Sequence, residues 1–151
     1  MILSAQTIRK LVVITPFNEE QVGPLGLSYG LGPAGYDVRL QDKLVLEAHG
    51  WELGSIIEHI ELPANVVASV HDKSSWARLG VTVQNTTVEP GWHGWLTLEL
   101  SNHSAKQVVL PAGVPIAKLR FQFLDEATER TYNGRYQDQG RGPRPAKLTE
   151  G

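Results

Sequence analysis

Apolar and polar positions alternate with a period of two over most of this chain, the pattern of strands that bury one face and wet the other. From Tyr36 onward the runs read YDVRL, KLVLEA, NVVASV, GVTVQ, WLTLEL, QVVLPA and AKLRFQF. Turn-forming residues at Pro63-Ala64-Asn65, Pro90-Gly91 and Pro111-Ala112-Gly113 separate several of them, as a strand-turn series requires. The pattern predicts an all-β sandwich or barrel. Residues 41–63 read as β without clear boundaries.

Because successive side chains on a strand point to opposite faces, the alternation also assigns sides. Leu96, Leu98 and Leu100 share one face, and Trp95, Thr97 and Glu99 share the other. Glu99 is therefore expected to sit away from the leucine core. In the last run Ala117, Leu119, Phe121 and Phe123 oppose Lys118, Arg120 and Gln122.

Helical spacing appears only near the start, where Ser4 is placed to cap a short helix through about Leu11, with Ile8, Leu11 and Val12 on one face. Residues 23–35 (GPLGLSYGLGPAG) carry five glycines and two prolines and read as a long glycine-rich loop. Loops of that length inside a compact domain are usually functional.

With 151 residues, the chain has enough material for one core and too little for two ordinary domains. No window approaches the roughly 18 apolar residues of a membrane span, and residues 1–10 lack the pattern of a signal peptide, so a cytoplasmic location without membrane contact is expected. The net charge of -2 offers no long-range attraction to nucleic acid. The chain has no cysteine, which excludes disulfides and thiolate metal sites. His49, His59, His71, His93 and His103 show no spacing that would pair them on a metal. Charge is concentrated in one place: between residues 130 and 147, Arg130, Arg135, Arg141, Arg144 and Lys147 face Asp138 alone, a local net of +4. Such a tail is either solvated or an anion clamp.

Two groups of residues have the composition of chemistry. His71, Asp72, Lys73, Ser74, Ser75 and Arg78 place hydroxyls and cations between two strands. That mixture suits phosphate oxygens and equally suits a polar turn. Glu89 and Glu99 flank the Pro90-Gly91 turn. A carboxylate pair of this kind fits acid/base work, or two surface glutamates on a hairpin. Trp92 and Trp95 flank the same region and read as structural.

Three stretches together resemble the dCTP deaminase and dUTPase family: GPAGYDVRL (residues 32–40) with the MILS opening, DKSSWARLGVTVQNTTVEPGWHGWLTLELSN (72–102), and YQDQGRGPRP (136–145). The resemblance implies a distorted dUTPase-like β-barrel of the β-clip type with a short N-terminal helix, assembled as a homotrimer with active sites between subunits. It divides the chain into a β domain, 1–131, and a C-terminal lid, 132–151. Carried onto matching positions, it makes Glu99 the general base, with Arg78 and Ser74 beside the reaction. Lys73 and Ser75 would hold the triphosphate of dCTP or dUTP, Mg²⁺ would ride on that triphosphate, and Glu89 would lie near the sugar. Asn85, Thr86 and Thr87 would face the base, and Tyr132, Arg135 and Gln139 would close over the nucleotide. The implied reaction is deamination of dCTP to dUTP; a dUTPase giving dUMP, a bifunctional enzyme, or a silent binding trimer are the alternatives.

The chain departs from the family pattern in four places. Lys73 stands where arginine is usual, and Glu89 where aspartate is usual. Residues 81–88 (VTVQNTTV) form a hairpin about two residues short, and the spacer from Tyr132 to Arg135 is also short. The short hairpin predicts that side chains of Asn85, Thr86 and Thr87 replace backbone groups in reading the base.

Overall fold

The computed structural model describes residues 1–149; the last two residues of the expected lid, Glu150 and Gly151, lie outside them. The elements run α1 (Ala5–Leu11), β1 (Ile14–Thr15), β2 (Gln21–Val22), β3 (Ser28–Gly32), β4 (Gly35–Arg39), β5 (Leu44–Leu46), β6 (Trp51–Glu61), β7 (Val66–Asp72), α2 (Ser74–Ala77), β8 (Val81–Val83), β9 (His93–Asn102), β10 (Val108–Leu110) and β11 (Pro115–Phe123). A four-stranded sheet in the order β1-β6-β9-β8 and a five-stranded sheet in the order β2-β3-β4-β11-β7 enclose the core, with β5 and β10 forming a separate pair. Every ladder is antiparallel. The all-β fold with one short N-terminal helix agrees with the alternation read from the sequence.

The core joins the inward faces of both sheets. Leu98 and Leu100 of β9, Ile56 and Ile60 of β6, Tyr36 and Val38 of β4, and Leu119 and Phe121 of β11 are all fully buried. Several of the polar groups that enter the core are hydrogen-bonded there. The Tyr36 hydroxyl donates to the Pro16 carbonyl at 3.3 Å and accepts from the Asn18 amide at 3.0 Å. Trp76 Nε1 donates to the Pro115 carbonyl at 2.7 Å. Glu58, with no exposure, accepts from the Arg39 amide at 3.0 Å and from Arg39 Nε at 2.8 Å. Burial still raises the Glu58 pKa above the ordinary glutamate value, against the opposing pull of Arg39.

Three local expectations require correction. Residues 23–35 are not one loop, because β3 and most of the β3-β4 hairpin lie inside them. Gly30 and Gly35 serve close packing: Gly30 has φ +90°, a Cβ on it would come within 2.4 Å of the Glu19 carbonyl, and one on Gly35 within 2.7 Å of the Leu119 carbonyl. The Ser4 side chain does not cap α1 through a backbone amide; it meets the Thr7 hydroxyl at 3.2 Å, and the Ser4 carbonyl takes the first helical bonds. Leu96 is only half-buried. The β6-β9 register shifts between the Thr97–Ser55 and Trp95–His59 pairs, and β8 ends before reaching this level, so strict alternation fails there.

Candidate active site

The early end of β8 creates the site. β8 pairs with β9 from Val81–Asn102 to Val83–Leu100, and Gln84 N–H adds one more bond to the Glu99 carbonyl at 2.8 Å. The backbone then leaves the sheet. The next groups of the β9 edge are taken by a side chain: Asn85 Oδ1 accepts from the Glu99 amide at 3.1 Å, and Asn85 Nδ2 donates to the Thr97 carbonyl at 2.7 Å. Beyond Thr97 the C-terminal tail takes over. Trp95 N–H donates to the Gln139 carbonyl at 2.9 Å, and Gln139 Nε2 returns bonds to the Trp95 carbonyl at 2.8 Å and the Thr97 hydroxyl at 2.7 Å. The Arg144 amide donates to the same hydroxyl at 3.0 Å, and His93 N–H donates to Gln137 Oε1 at 3.0 Å. One exposed edge of β9 is thus covered first by the hairpin and then by the tail.

Between hairpin, tail and sheet lies a cleft of about 500 Å³. Its walls are Asn85, Thr86, Thr87, Val88 and Glu89 from the hairpin, Leu96, Thr97 and Glu99 from β9, and Trp51 and Leu53 from β6. Trp92, Tyr132, Tyr136, Gln139, Arg144 and Ala146 complete it. Glu99 Oε2 is buried with no hydrogen-bond partner, and desolvation raises the Glu99 pKa above the ordinary glutamate value. A carboxylate in this condition takes up a proton readily and is free to bond a ligand.

The structure therefore brings Glu99, Glu89, Asn85, Thr86, Thr87, Tyr132 and Gln139 to one cleft. The carboxamides of Asn85 and Gln139 are already engaged with β9. Arg135 does not line the cleft; its guanidinium donates to the Lys147 carbonyl at 2.7 Å and reaches the Thr149 hydroxyl. Lys73, Ser74 and Ser75 line a different cavity with Asp37 and Lys118, where Lys73 Nζ and Lys118 Nζ stand 3.5 and 3.6 Å from the buried Asp37 carboxylate. Arg78 lies in a third, apolar groove with Leu25, Leu79 and Val109. The three cavities share no lining residue.

Sequence reasoning missed Trp51, Leu53, Tyr136 and Arg144 as cleft residues, and read Trp92 as structural only. Trp92 does both: it lines the cleft, and its Nε1 donates to the Tyr136 carbonyl at 2.7 Å. Trp51 carried the clearest signal available, a tryptophan next to a glycine at a strand start, and is 62% exposed at the mouth of the cleft.

The dCTP deaminase-like family model matches residues 36–124, from β4 through β11 with both the hairpin and Glu99. The chain belongs to that family. It is 34% identical over 143 residues to the dCTP deaminase of Pyrococcus abyssi, covering 91% of this chain and 93% of the relative. It is 33% identical over 168 residues to the dCTP deaminase of Campylobacter concisus, covering 87% and 90%. Among solved structures, the fold resembles the 2'-deoxycytidine 5'-triphosphate deaminase of Agrobacterium tumefaciens, with TM-score 0.66 and 22% identity over 82% of this chain. The chain spans 48% of that protein's length. It also resembles the EIAV dUTPase, with TM-score 0.56 and 18% identity, covering 67% of this chain and 84% of that one. A phage phi11 dUTPase of the same fold, at 13% identity and TM-score 0.56, is described as coordinating a structural Mg(II) ion. In this dCTP deaminase-like chain, no helix among the described residues is long and apolar enough to cross a membrane.

Proposed function

We propose that this chain deaminates dCTP to dUTP with release of ammonia, and that Glu99 is its proton carrier. The observation that carries the reading is the Glu99 carboxylate, buried in the cleft, unpartnered at Oε2 and held above the ordinary glutamate pKa by desolvation. Glu99 takes a proton from water and the hydroxide adds to the ring carbon bearing the amino group. The proton passes to the adjacent ring nitrogen. Glu99 then takes the proton of the new hydroxyl and gives it to the amino group, which leaves as ammonia. A positioned acid/base of this kind contributes about 10²- to 10⁴-fold.

The aromatic and apolar walls, Trp51, Trp92, Leu53 and Tyr136, exclude water from the base, and Thr86 and Thr87 supply hydroxyls that accept or donate. Tyr132, Gln139 and the rest of the tail, residues 132–149, form the lid over the β domain. Arg135 contributes by fixing the tail's own end. Lys73, Ser74 and Ser75 bind the triphosphate, with Lys118 beside them. These cations and hydroxyls suit phosphate oxygens, while Asp37 is occupied by two lysines, so these residues would hold Mg²⁺ only through the triphosphate. When bound, it neutralises phosphate charge.

The phosphate cavity, the Arg78 groove and the Glu99 cleft are separate within one chain, which supports a homotrimer that joins them across subunit boundaries. The exposed Leu25, at 68%, and Leu79, at 54%, beside Arg78 suit such an interface. Glu89 lines the same cleft as Glu99 and would lead in the alternative, a pyrophosphatase releasing dUMP. Incubation with Mg²⁺ and each pyrimidine deoxynucleoside triphosphate separates the readings. Ammonia and dUTP from dCTP support deamination, pyrophosphate and dUMP move the assignment to Glu89, and no turnover of any nucleotide overturns both.

A further inference from the structure

The short hairpin was expected to turn Asn85 toward the base, yet both ends of its carboxamide are bonded to β9. A carboxamide has the donor and acceptor of a peptide group in one plane, so Asn85 extends the β8 ladder where the β8 backbone has ended. Its two bonds, 3.1 Å from Glu99 N and 2.7 Å to Thr97 O, bracket Leu98, and Gln84 N–H holds the Glu99 carbonyl at 2.8 Å. Glu99 is thereby pinned at its amide and its carbonyl. Its buried carboxylate oxygen has no bonding partner, so the backbone aims it.

We propose that Asn85 is the positioning residue for Glu99, a side-chain strand that fixes the direction of the carboxylate rather than a contact that selects the base. Without it, Glu99 N–H and Thr97 C=O would face the cleft unpaired, and the β9 segment between them would be held from the β6 edge alone. A misplacement of about 1 Å at a reacting group can cost about 10²-fold in rate. The inference rests on the reading of Glu99 as proton carrier. The other charged residues lining the cleft are Glu89 and Arg144, with the ionisable Tyr132 and Tyr136.

The test compares wild type with Asn85→Ala, Asn85→Ser and Asn85→Asp, each first checked for native circular dichroism. Steady-state kinetics with dCTP are expected to show kcat lowered about 10- to 100-fold in Asn85→Ala, with KM within about threefold and unchanged preference between dCTP and 5-methyl-dCTP. Asn85→Ser, which keeps one short hydroxyl in place of the carboxamide, is expected to fall between. In Asn85→Asp the added carboxylate is expected to move the acid limb of the kcat profile to higher pH. A loss carried by KM, an altered base preference, or a kcat within about threefold of wild type would overturn the proposal. Titration of Glu99 by carbon NMR in glutamate-labelled protein gives a readout independent of turnover. The Glu99 midpoint is expected to fall toward the ordinary range in Asn85→Ala as water reaches the carboxylate, and an unmoved midpoint overturns the positioning role. If the wild type turns over no nucleotide, the function reading has failed, and this titration still decides the role of Asn85.

Discussion

Gln139 Nε2 donates to the Thr97 hydroxyl at 2.7 Å with both side chains buried, while the same nitrogen reaches the Trp95 carbonyl at 2.8 Å. A tail residue is thus fastened to the strand that carries Glu99, two positions from it.

Removing that fastening is expected to free the lid and spare the barrel. Gln139→Ala leaves the Thr97 hydroxyl and Trp95 carbonyl short of a partner, a local penalty of about 1 to 3 kcal/mol. The tail should then be cut by protease well before the β domain, and KM for dCTP should rise about tenfold. A truncation after Thr131 should give a similar KM with the fold retained. Unchanged KM in both proteins would show the tail to be a solvated appendage.

Glu99→Gln is expected to reduce kcat by about 10²- to 10⁴-fold while leaving nucleotide affinity nearly unchanged, since it removes the proton shuttle and keeps the shape. It should also stabilise the protein at neutral pH. Because the folded pKa of Glu99 is raised, wild-type stability falls as pH climbs from the unfolded value, about 4.3, through the folded one. The gain in Tm for Glu99→Gln should therefore appear above that window and vanish below it. Equal Tm values at neutral pH would refute the desolvation account.

Lys73→Ala is expected to raise KM for dCTP about tenfold, equivalent to about 1.4 kcal/mol, with a smaller effect on kcat. The Asp37 carboxylate would keep Lys118 as its partner, so the fold should survive. Weaker binding of dCTP but not of deoxycytidine, measured calorimetrically, checks that the loss lies at the phosphates.

The assembly makes its own prediction. Arg78→Ala and Glu99→Gln should each be nearly inactive alone, and mixing them with exchange of subunits should restore activity, because an intact Arg78 and an intact Glu99 then meet between different chains. No recovery after demonstrated exchange would place both groups in one subunit's site.

How much of this was legible in the sequence depends on the range of the interaction involved. The side of the strand on which Glu99 lies follows from alternation alone, and residues near it in sequence, Thr86 to Glu89, fall in the same cleft. The error at residues 23–35 came from reading glycine as flexibility, whereas Gly30 is there because a carbonyl from residue 19 passes 2.4 Å from where a Cβ would stand. Asn85 was legible as a polar hairpin residue but not as a strand surrogate, since that role depends on where β8 stops relative to β9. The separation of Lys73, Ser74 and Ser75 from Glu99, and the approach of Trp51 from β6, are set by sheet topology, which no local pattern encodes.

Gly94 has φ +144°, and a Cβ placed on it would lie 2.6 Å from the Gln139 carbonyl oxygen and 2.8 Å from the Gln139 nitrogen, both backbone atoms that cannot rotate aside. The tail's seat thus has a vulnerability out of proportion to the size of the change: one methyl group at residue 94 acts as a wedge, and inheritance of alanine there would disable the lid while leaving every lid residue in the gene intact.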